Sequence, residues 1–576
     1  MGDSMARTIA DDLVIVLAGA AGQGLQSIES ILAQLLKMSG YNYFSASEFM
    51  SRVRGGANST AIRVSGKRAT GFLDRIDILL PLHREAIPHL GKRITPDTIV
   101  IGEKDKIDHQ GMIDIQFTRM AAETGGAIYA NTIAAGCICG LLKVDEKECE
   151  DFILGYFSGK SEEIRSNNVA AIKKGYAAGK GLAGITVAIE KDAAVKKELL
   201  LTGSEAIALG ALAGGCDYVC AYPMSPSTGV LVEMASHAKK FPIIVEQVED
   251  EIGVVNMALG AWYAGARALV TTSGGGFALM CEGISLCGMI ESPLVLHLAQ
   301  RPGPATGLPT RSEQGDLDLV LHAGHGDFPR IILAPGTLAE GFALTQKAFN
   351  LAAAYQIPVF ILTDQFFIDS RGNTPVFPVG DLNVEKHVVK TATDYKRFSL
   401  TENGISPRGI PGYGSGQVCA DSDEHDEAGH ITEDLDLRVR MVDKRLKKFA
   451  AIRADIIAPK LVGSGDYRTL VVCWGSTFDT VCEAVESLGE KDVAVLHFSW
   501  LFPFPEEAGA YLKKAANLIV VEGNASAQFA RLIRLETGVA SDHNLLKYNG
   551  LPFSVEEIKG EIQKIFRAGG RHGKCF

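Results

Sequence analysis

The strongest constraint on this chain is a repeated alternation of short, continuously apolar runs with glycine turns and stretches of helical periodicity. Leu13 to Ala18 is such a run. Gly19-Ala20-Ala21-Gly22-Gln23-Gly24 is its turn, and Ile28, Ile31, Leu32, Leu35 and Leu36 mark a helix that Gly40 stops. An apolar run without alternation must be covered on both faces, so the pattern predicts parallel sheets with helices packed on them. Further strands are predicted at Ile78–Leu80 and Thr98–Ile101. The pattern recurs at Tyr218–Tyr222, Ile243–Gln247, Ala268–Thr272, Pro293–Ala299 and Pro358–Leu362, and again at Thr469–Cys473, Val493–His497 and Leu518–Val521.

The chain has 576 residues, 47% of them apolar and 22% charged, which suits three or four packed domains and excludes a disordered chain. The predicted fold class is α/β, with three α/β domains at 1–190, 198–375 and 466–576. Residues 376–465 read as a connector: a Gly-rich stretch, an acidic stretch from Asp421 to Glu427 and one basic amphipathic helix, Arg438–Arg453. A formal charge of -11 argues against nucleic acid or an anionic membrane as the main partner. No apolar run reaches the roughly 18 residues of a membrane span, and the N-terminus lacks a signal-peptide core. The expected location is the cytoplasm. The close cysteine pairs Cys137/Cys139, Cys216/Cys220 and Cys281/Cys287 are not C-x-x-C motifs and suit reduced, buried thiols. No cluster and no metal site is expected on this chain.

In open parallel sheets ligands bind beyond the carboxyl ends of the strands, which selects a few loops. Gly19 to Gly24 reads G-x-x-G-x-G, not the dinucleotide order G-x-G-x-x-G, and suits an anion or simply a tight turn. Arg52, Arg54, Gly55 and Gly56 form a basic loop. Tyr222-Pro223-Met224-Ser225-Pro226-Ser227-Thr228-Gly229 puts three hydroxyls on a stiff turn, with Ser227 or Thr228 placed to cap the next helix. Glu249, in Val248-Glu249-Asp250-Glu251, stands just past a strand end. The loop from Gln300 to Arg311 brings Arg301, Thr306, Thr310 and Arg311 onto one Pro/Gly scaffold suited to a carboxylate. Glu424 to His430 holds two histidines among acids, a solvated loop before it is a metal site. There is no phosphate loop of G-x-x-x-x-G-K-[ST] type, no G-x-S-x-G, no H-E-x-x-H, and no Gly-Asp-Gly followed by Asn as in the diphosphate site of thiamine enzymes.

Taken together these segments resemble the 2-oxoacid:ferredoxin oxidoreductases. Tyr222-Pro223-Met224-Ser225-Pro226 is similar to their Y-P-I-T-P. The likeness continues through Val248–Glu251, Thr272–Phe277, Arg301–Pro304, Gly307–Arg311, Ser406–Gly409, Glu424-His425, Cys473–Thr477, Pro503–Pro505 and Glu522–Asn524 with Gln528. Gly22-Gln23-Gly24 and Arg54-Gly55-Gly56 resemble the family's γ domain. The resemblance implies a γ domain, a pyrimidine-binding domain of the thiamine diphosphate fold and a transketolase-like C-terminal domain. The order γ then α looks most like the large subunit of a 2-oxoglutarate:ferredoxin oxidoreductase.

The same resemblance implies cofactors, partners and residue roles. Thiamine diphosphate would be shared with a β subunit carrying its Mg2+ and a [4Fe-4S] cluster, in an (αβ)2 assembly. Coenzyme A would be cosubstrate and ferredoxin the electron carrier, in a reversible reaction that also serves a reductive tricarboxylic acid cycle. Glu249 would be catalytic, hydrogen-bonding the pyrimidine ring, with Tyr222, Pro223, Met224 and Gly275 beside the cofactor. Arg311, with Arg301 as second choice, would clamp the substrate carboxylate, aided by Ser225 and Thr310. Ser225 stands where the family has Thr, and Met224 where it has Ile. Pyruvate or broader 2-oxoacids are alternative substrates. An NAD-linked dehydrogenase using Gly19–Gly24 and a non-catalytic scaffold are the rival readings.

Overall fold

The structure, a computed structural model, describes residues 7–50, 55–182, 184–380 and 382–568. Two compact units compose it: Met1–Leu201 with Ser370–Val376, and Thr202–Asp369 with Phe377–Phe576.

The first unit is built on an eight-stranded sheet. Its central strand, Asp12–Ala21, turns into the helix Leu25–Met38, whose Ile28, Ile31, Leu32, Leu35 and Leu36 are buried. The sheet is mixed rather than parallel. Asp12–Ala21 pairs in parallel with Ile78–Pro81 on one side and antiparallel with Gly55–Ser65 on the other. Gly55–Ser65 has no continuous apolar run to announce it, since most of its residues are small or polar. The sheet buries Asn58, Ser59, Thr60 and Arg63 all the same, and Arg63 is paired there with Asp12 at 2.7 Å. The helices Ala130–Leu141 and Glu162–Lys180 meet backbone to backbone: a Cβ at Gly140 would stand 2.1 Å from the Tyr176 carbonyl. The described cysteines are all free, and burial pushes thiols such as Cys137 up to about 12. No described helix is long and apolar enough to cross a membrane.

The second unit carries the sheet that positions the site. Its strands run in the order Ile244–Gln247, Tyr218–Ala221, Ala268–Thr272, Leu294–Gln300, Pro358–Asp364, Ile331–Leu333. These six are mutually parallel, and Trp500–Phe502 adds one antiparallel edge strand. The central strands Ala268–Thr272, Leu294–Gln300 and Pro358–Asp364 are buried along their length, the condition the apolar runs predict. From Tyr218–Ala221 the chain moves outward to Ile244–Gln247, then crosses back to Ala268–Thr272 and continues the other way. The topology therefore switches between Tyr218–Ala221 and Ala268–Thr272, where open sheets bind ligands. A five-stranded sheet around Thr469–Trp474 follows in the C-terminal part.

The connector helix is Leu435–Ile452, and it is more than a surface element. Lys444 and Lys448, 1% exposed, both reach the equally buried Glu291, at 2.5 and 2.6 Å. Their charges hold the Glu291 carboxyl well below its ordinary range against the cost of burial. The Glu424–His430 stretch is likewise no solvated loop: His425 is buried with its ring 3.9 Å from that of Phe398, and Glu424 is paired with Arg438 and Arg445. Among the described residues no three His, Cys, Asp or Glu side chains group as metal ligands. Removing one partner from a buried ion pair leaves a bare charge, at about 3–5 kcal/mol. Glu291→Gln is therefore expected to lower the thermal midpoint of the assembled protein by several degrees, more than Lys444→Met, which leaves one pair intact. Scanning calorimetry of the two variants checks this order.

Candidate active site

Four loops leave the carboxyl ends of the switch-point strands: 222–227, 248–250, 273–276 and 301–316. Gly274, Gly275 and Gly276 lie at their centre, and the first and last have no room for a side chain. A Cβ on Gly274 would stand 2.5 Å from Asp316 Oδ2, and one on Gly276 would stand 2.4 Å from Glu251 Oε1. A Cβ on Gly275 would face the Ala305 carbonyl at 3.7 Å and Met224 Sδ at 4.0 Å. Two carboxyls thus press on the glycine turn from below, while Gly275 is exposed towards Met224 and the arginine loop.

Glu251 opens the helix Glu251–Ala264, and Asp250 caps it by accepting the Gly253 amide at 2.8 Å. Glu251 is only 3% exposed, and its Oε1 has no hydrogen-bond partner. Burial raises its carboxyl above the ordinary range; the Asp250 charge adds to this and the Arg301 charge opposes it. Arg301 donates from Nη1 to the Ser225 carbonyl at 2.6 Å, tying the arginine loop to the hydroxyl loop. Its Nε, Ser273 Oγ and Asp316 Oδ2 are also buried without partners. Four orphaned polar atoms around one turn are costly in a finished interior. They fit a polar ligand that supplies the missing partners, and a heterocycle with ring N–H and N: groups is such a ligand.

Asp316 is placed by Gln300, whose Oε1 accepts the Asp316 amide at 3.0 Å while its Nε2 donates to the Thr363 carbonyl at 3.0 Å. Burial, then the Glu313 charge, push the Asp316 carboxyl up to about 7, against the pull of Arg301. Its folded-state value thus lies above the unfolded one, so the neutral acid is the stable form. That stability is full below the unfolded value near 3.8 and is lost as pH rises through about 7. Asp316→Asn, which cannot ionise, is expected to gain thermal midpoint over wild type on going from about pH 4 to about pH 8, on the order of 5 °C. Melting curves of both proteins across that range check the sign.

Below the turn, His297 bridges Thr271 Oγ1 and Thr363 Oγ1, each at 2.8 Å, and burial brings its pKa down to about 3, so it is neutral packing. The Ser227 hydroxyl donates to the Met224 carbonyl at 2.7 Å, and neither Ser227 nor Thr228 caps the helix Thr228–His237 by its side chain. Gln314 ties the arginine loop to the C-terminal part through the Gly523 backbone, at 2.6 and 2.8 Å, and through the Trp474 carbonyl at 2.9 Å.

The residues singled out by sequence divide accordingly. Met224, Gly275, Ser225 and Arg301 come together at the glycine turn, with Tyr222 exposed and Pro223 half-buried at the start of their loop. Glu249 is exposed in the segment before the helix. Arg311 is half-buried against Gly550, where a Cβ would stand 3.1 Å from Arg311 Cβ, and neighbouring Thr310 is half-buried too. Glu251, Ser273 and Asp316, not singled out by sequence, add buried unpartnered atoms at the same turn. For Glu251 a signal existed: it starts the stripe Glu251, Val254, Val255, Ala258, Leu259, Trp262, the i, i+3, i+4, i+7, i+8, i+11 positions of the buried face. In the first unit the Gly19–Gly24 turn is closed on itself, since Gln23 Oε1 takes the Ala20 amide at 2.7 Å and Gly24 packs on Asn131. Arg52 and Arg54 lie outside the described residues.

The parallel sheet, with its switch point framed by a buried helix-opening acid and a glycine turn, lies within a segment that a thiamine-diphosphate-binding family model matches. A family model described as "Pyruvate flavodoxin/ferredoxin oxidoreductase, thiamine diP-bdg" matches residues 209–444, and one described as "Pyruvate ferredoxin/flavodoxin oxidoreductase" matches 14–178. The chain belongs to the 2-oxoacid:ferredoxin oxidoreductase family, a family of enzymes. It is 30% identical to the 2-oxoacid:ferredoxin oxidoreductase subunit alpha of Sulfolobus sp, over 96% of this chain and 97% of that protein. It is 33% identical to the 2-oxoglutarate synthase subunit KorA of Archaeoglobus fulgidus, over 56% of this chain and 86% of that one. The solved 2-oxoglutarate:ferredoxin oxidoreductase from Magnetococcus marinus, with 2-oxoglutarate, coenzyme A and succinyl-CoA bound, superposes with a TM-score of 0.90 at 29% identity. That match covers 96% of this chain and 99% of that one.

Proposed function

We propose that this chain is the fused γ–α subunit of a 2-oxoglutarate:ferredoxin oxidoreductase, active in the cytoplasm as an (αβ)2 assembly. A β subunit supplies the diphosphate site, Mg2+ and a [4Fe-4S] cluster. The reading divides the chain into a γ domain over 1–190, a pyrimidine-binding domain over 198–375, a connector and a transketolase-like domain over 466–576. The observation that carries it is the set of orphaned atoms, Glu251 Oε1, Ser273 Oγ, Arg301 Nε and Asp316 Oδ2, around one glycine turn at the sheet's switch point. The Magnetococcus protein, whose structure holds 2-oxoglutarate and coenzyme A, supports the substrate.

When bound, thiamine diphosphate supplies the carbon nucleophile for the 2-oxo carbonyl and a sink for the electron pair left by departing CO2. The chain's residues hold its aminopyrimidine side. Glu251 Oε1, desolvated and aimed at Gly276, accepts or holds a proton at the ring. Gly275 and Met224 leave and shape the space. Arg301 offers its fork to the substrate carboxylate. Ser225 holds Arg301 through its carbonyl, and Tyr222, Pro223, Thr310, Arg311 and Glu249 complete the proposed surroundings at greater remove. Run in reverse with reduced ferredoxin, the same site serves reductive carboxylation.

The test is the purified complex with its β subunit, assayed with coenzyme A, a one-electron acceptor, and 2-oxoglutarate or pyruvate in turn. A higher kcat/KM for 2-oxoglutarate is expected. Preference for pyruvate transfers the reading to that substrate, and no turnover with any 2-oxoacid returns it to a scaffold.

A further inference from the structure

Beside the helix Glu251–Ala264 the connector lines a second cavity, small and largely apolar, that the proposed reaction does not use. It lies between the helix Glu251–Ala264 and the loop Ser406–Gly409, and is lined by Trp262, Tyr263, Arg397, Arg408, Gly409 and Ala420, among others. Arg397 and Arg408 are both 5% exposed. Each is held by backbone carbonyls: Arg397 Nη2 by Glu291 at 2.7 Å, Arg408 Nη1 and Nη2 by Trp262 and Lys386 at 3.2 and 3.0 Å. Neither forms an ion pair with a described carboxylate. Arg397 Nη1 and Arg408 Nε are buried with no acceptor. The Trp262 ring lies 5.6 Å from the Arg408 guanidinium carbon, and Tyr263 anchors its hydroxyl on the Val418 carbonyl at 2.6 Å.

The charge balance around this cavity is unusual. Arg397 feels the opposite charge of Glu291 but also the charges of Lys444, Lys448 and Arg408, and Arg408 feels that of Arg267 as well. The guanidinium of Arg267, a residue 3% exposed, donates only to Gly214, Glu385 and Asn350 oxygens, none of them a carboxylate. Five buried cations thus form one connected set, and its single fully buried carboxylate is Glu291. Asp217 and Glu385, beside Arg267, are exposed. Unpaired charge in an apolar interior is among the costliest arrangements a fold can hold.

We propose that the cavity between Arg397 and Arg408 is a binding site for a small monovalent inorganic anion of chloride size, which neutralises the cationic set and fixes the connector to the pyrimidine-side helix. The cavity, about 20 Å³, has room for a single small anion between the two guanidinium groups. The two orphaned N–H groups supply charge-assisted donors, and Trp262 lines the wall. This site is independent of the proposed substrate and cofactor, so its failure leaves the functional reading untouched.

The experiment is thermal unfolding of the assembled complex at constant ionic strength, in sodium isethionate, whose anion is too large, titrated against sodium chloride and sodium bromide. A saturable rise of about 2–4 °C is expected with either halide. Arg397→Gln and Arg408→Gln should each lose the halide response. Crystals grown in bromide should show an anomalous peak within hydrogen-bond reach of Arg397 Nη1 and Arg408 Nε. Equal midpoints of the wild type in isethionate and halide overturn the proposal, as does a bromide-free cavity in the crystal. If one variant fails to fold, the wild-type titration and the anomalous map decide.

Discussion

Glu251→Ala in the assembled enzyme is expected to lower kcat by about two to four orders of magnitude, the usual span for a lost acid–base partner, while Glu249→Ala stays within a few-fold of wild type. The two acids stand two residues apart, yet their surroundings differ. Glu249 is exposed and precedes the helix. Glu251 is on the buried stripe, desolvated, with Oε1 unpartnered at the glycine turn. A carboxyl in such a place is worth keeping only if something else satisfies it. A third variant, Glu251→Gln, preserves shape and hydrogen-bonding but not the acid. Its activity should fall nearly as far as that of the alanine variant, with unchanged expression and assembly. The larger loss at Glu249 would place the cofactor's carboxyl there and make Glu251 a structural acid.

The fold was legible where burial is two-sided. The strands at 13–18, 218–222, 268–272, 293–299 and 358–362 stand in the structure to within a few residues, because a strand covered on both faces must be apolar throughout. Gly55–Ser65 was illegible for the opposite reason, its polar groups being satisfied by partners distant in sequence, such as Asp12 for Arg63. The connector misled in the same way: Lys444 and Lys448 read as the polar face of an amphipathic helix, and only the distant Glu291 makes their burial possible. At the site, motifs led to these loops, and the structure adds which of their members are buried. Proximity to a strand end favoured Glu249, whereas the helix start turns Glu251 inward. Choosing between Arg301 and Arg311 required knowing which end of one loop reaches Ser225 and which reaches Gly550, information that no local pattern carries.

That choice yields the second large effect. Arg301→Met is expected to raise KM for the 2-oxoacid about 10–150-fold, the equivalent of a charged hydrogen-bond pair worth about 1.5–3 kcal/mol. Arg311→Met should change it by a few-fold at most. Arg301 is bound to the Ser225 carbonyl through Nη1 and feels both Asp316 and Glu251, so its charge is already turned to the glycine turn before any substrate arrives. Burial lowers its pKa, with those two acids opposing, yet it stays a cation at neutral pH. Arg301→Lys separates charge from geometry: an ammonium keeps the attraction but not the two-pronged fork, so its KM should fall between wild type and Arg301→Met. If the clamp acts on ground and transition states alike, kcat stays near wild type in all three. An unchanged KM in Arg301→Met with a raised KM in Arg311→Met moves the carboxylate to the Gly550 side of the loop. Unchanged KM in both assigns the clamp to the partner subunit.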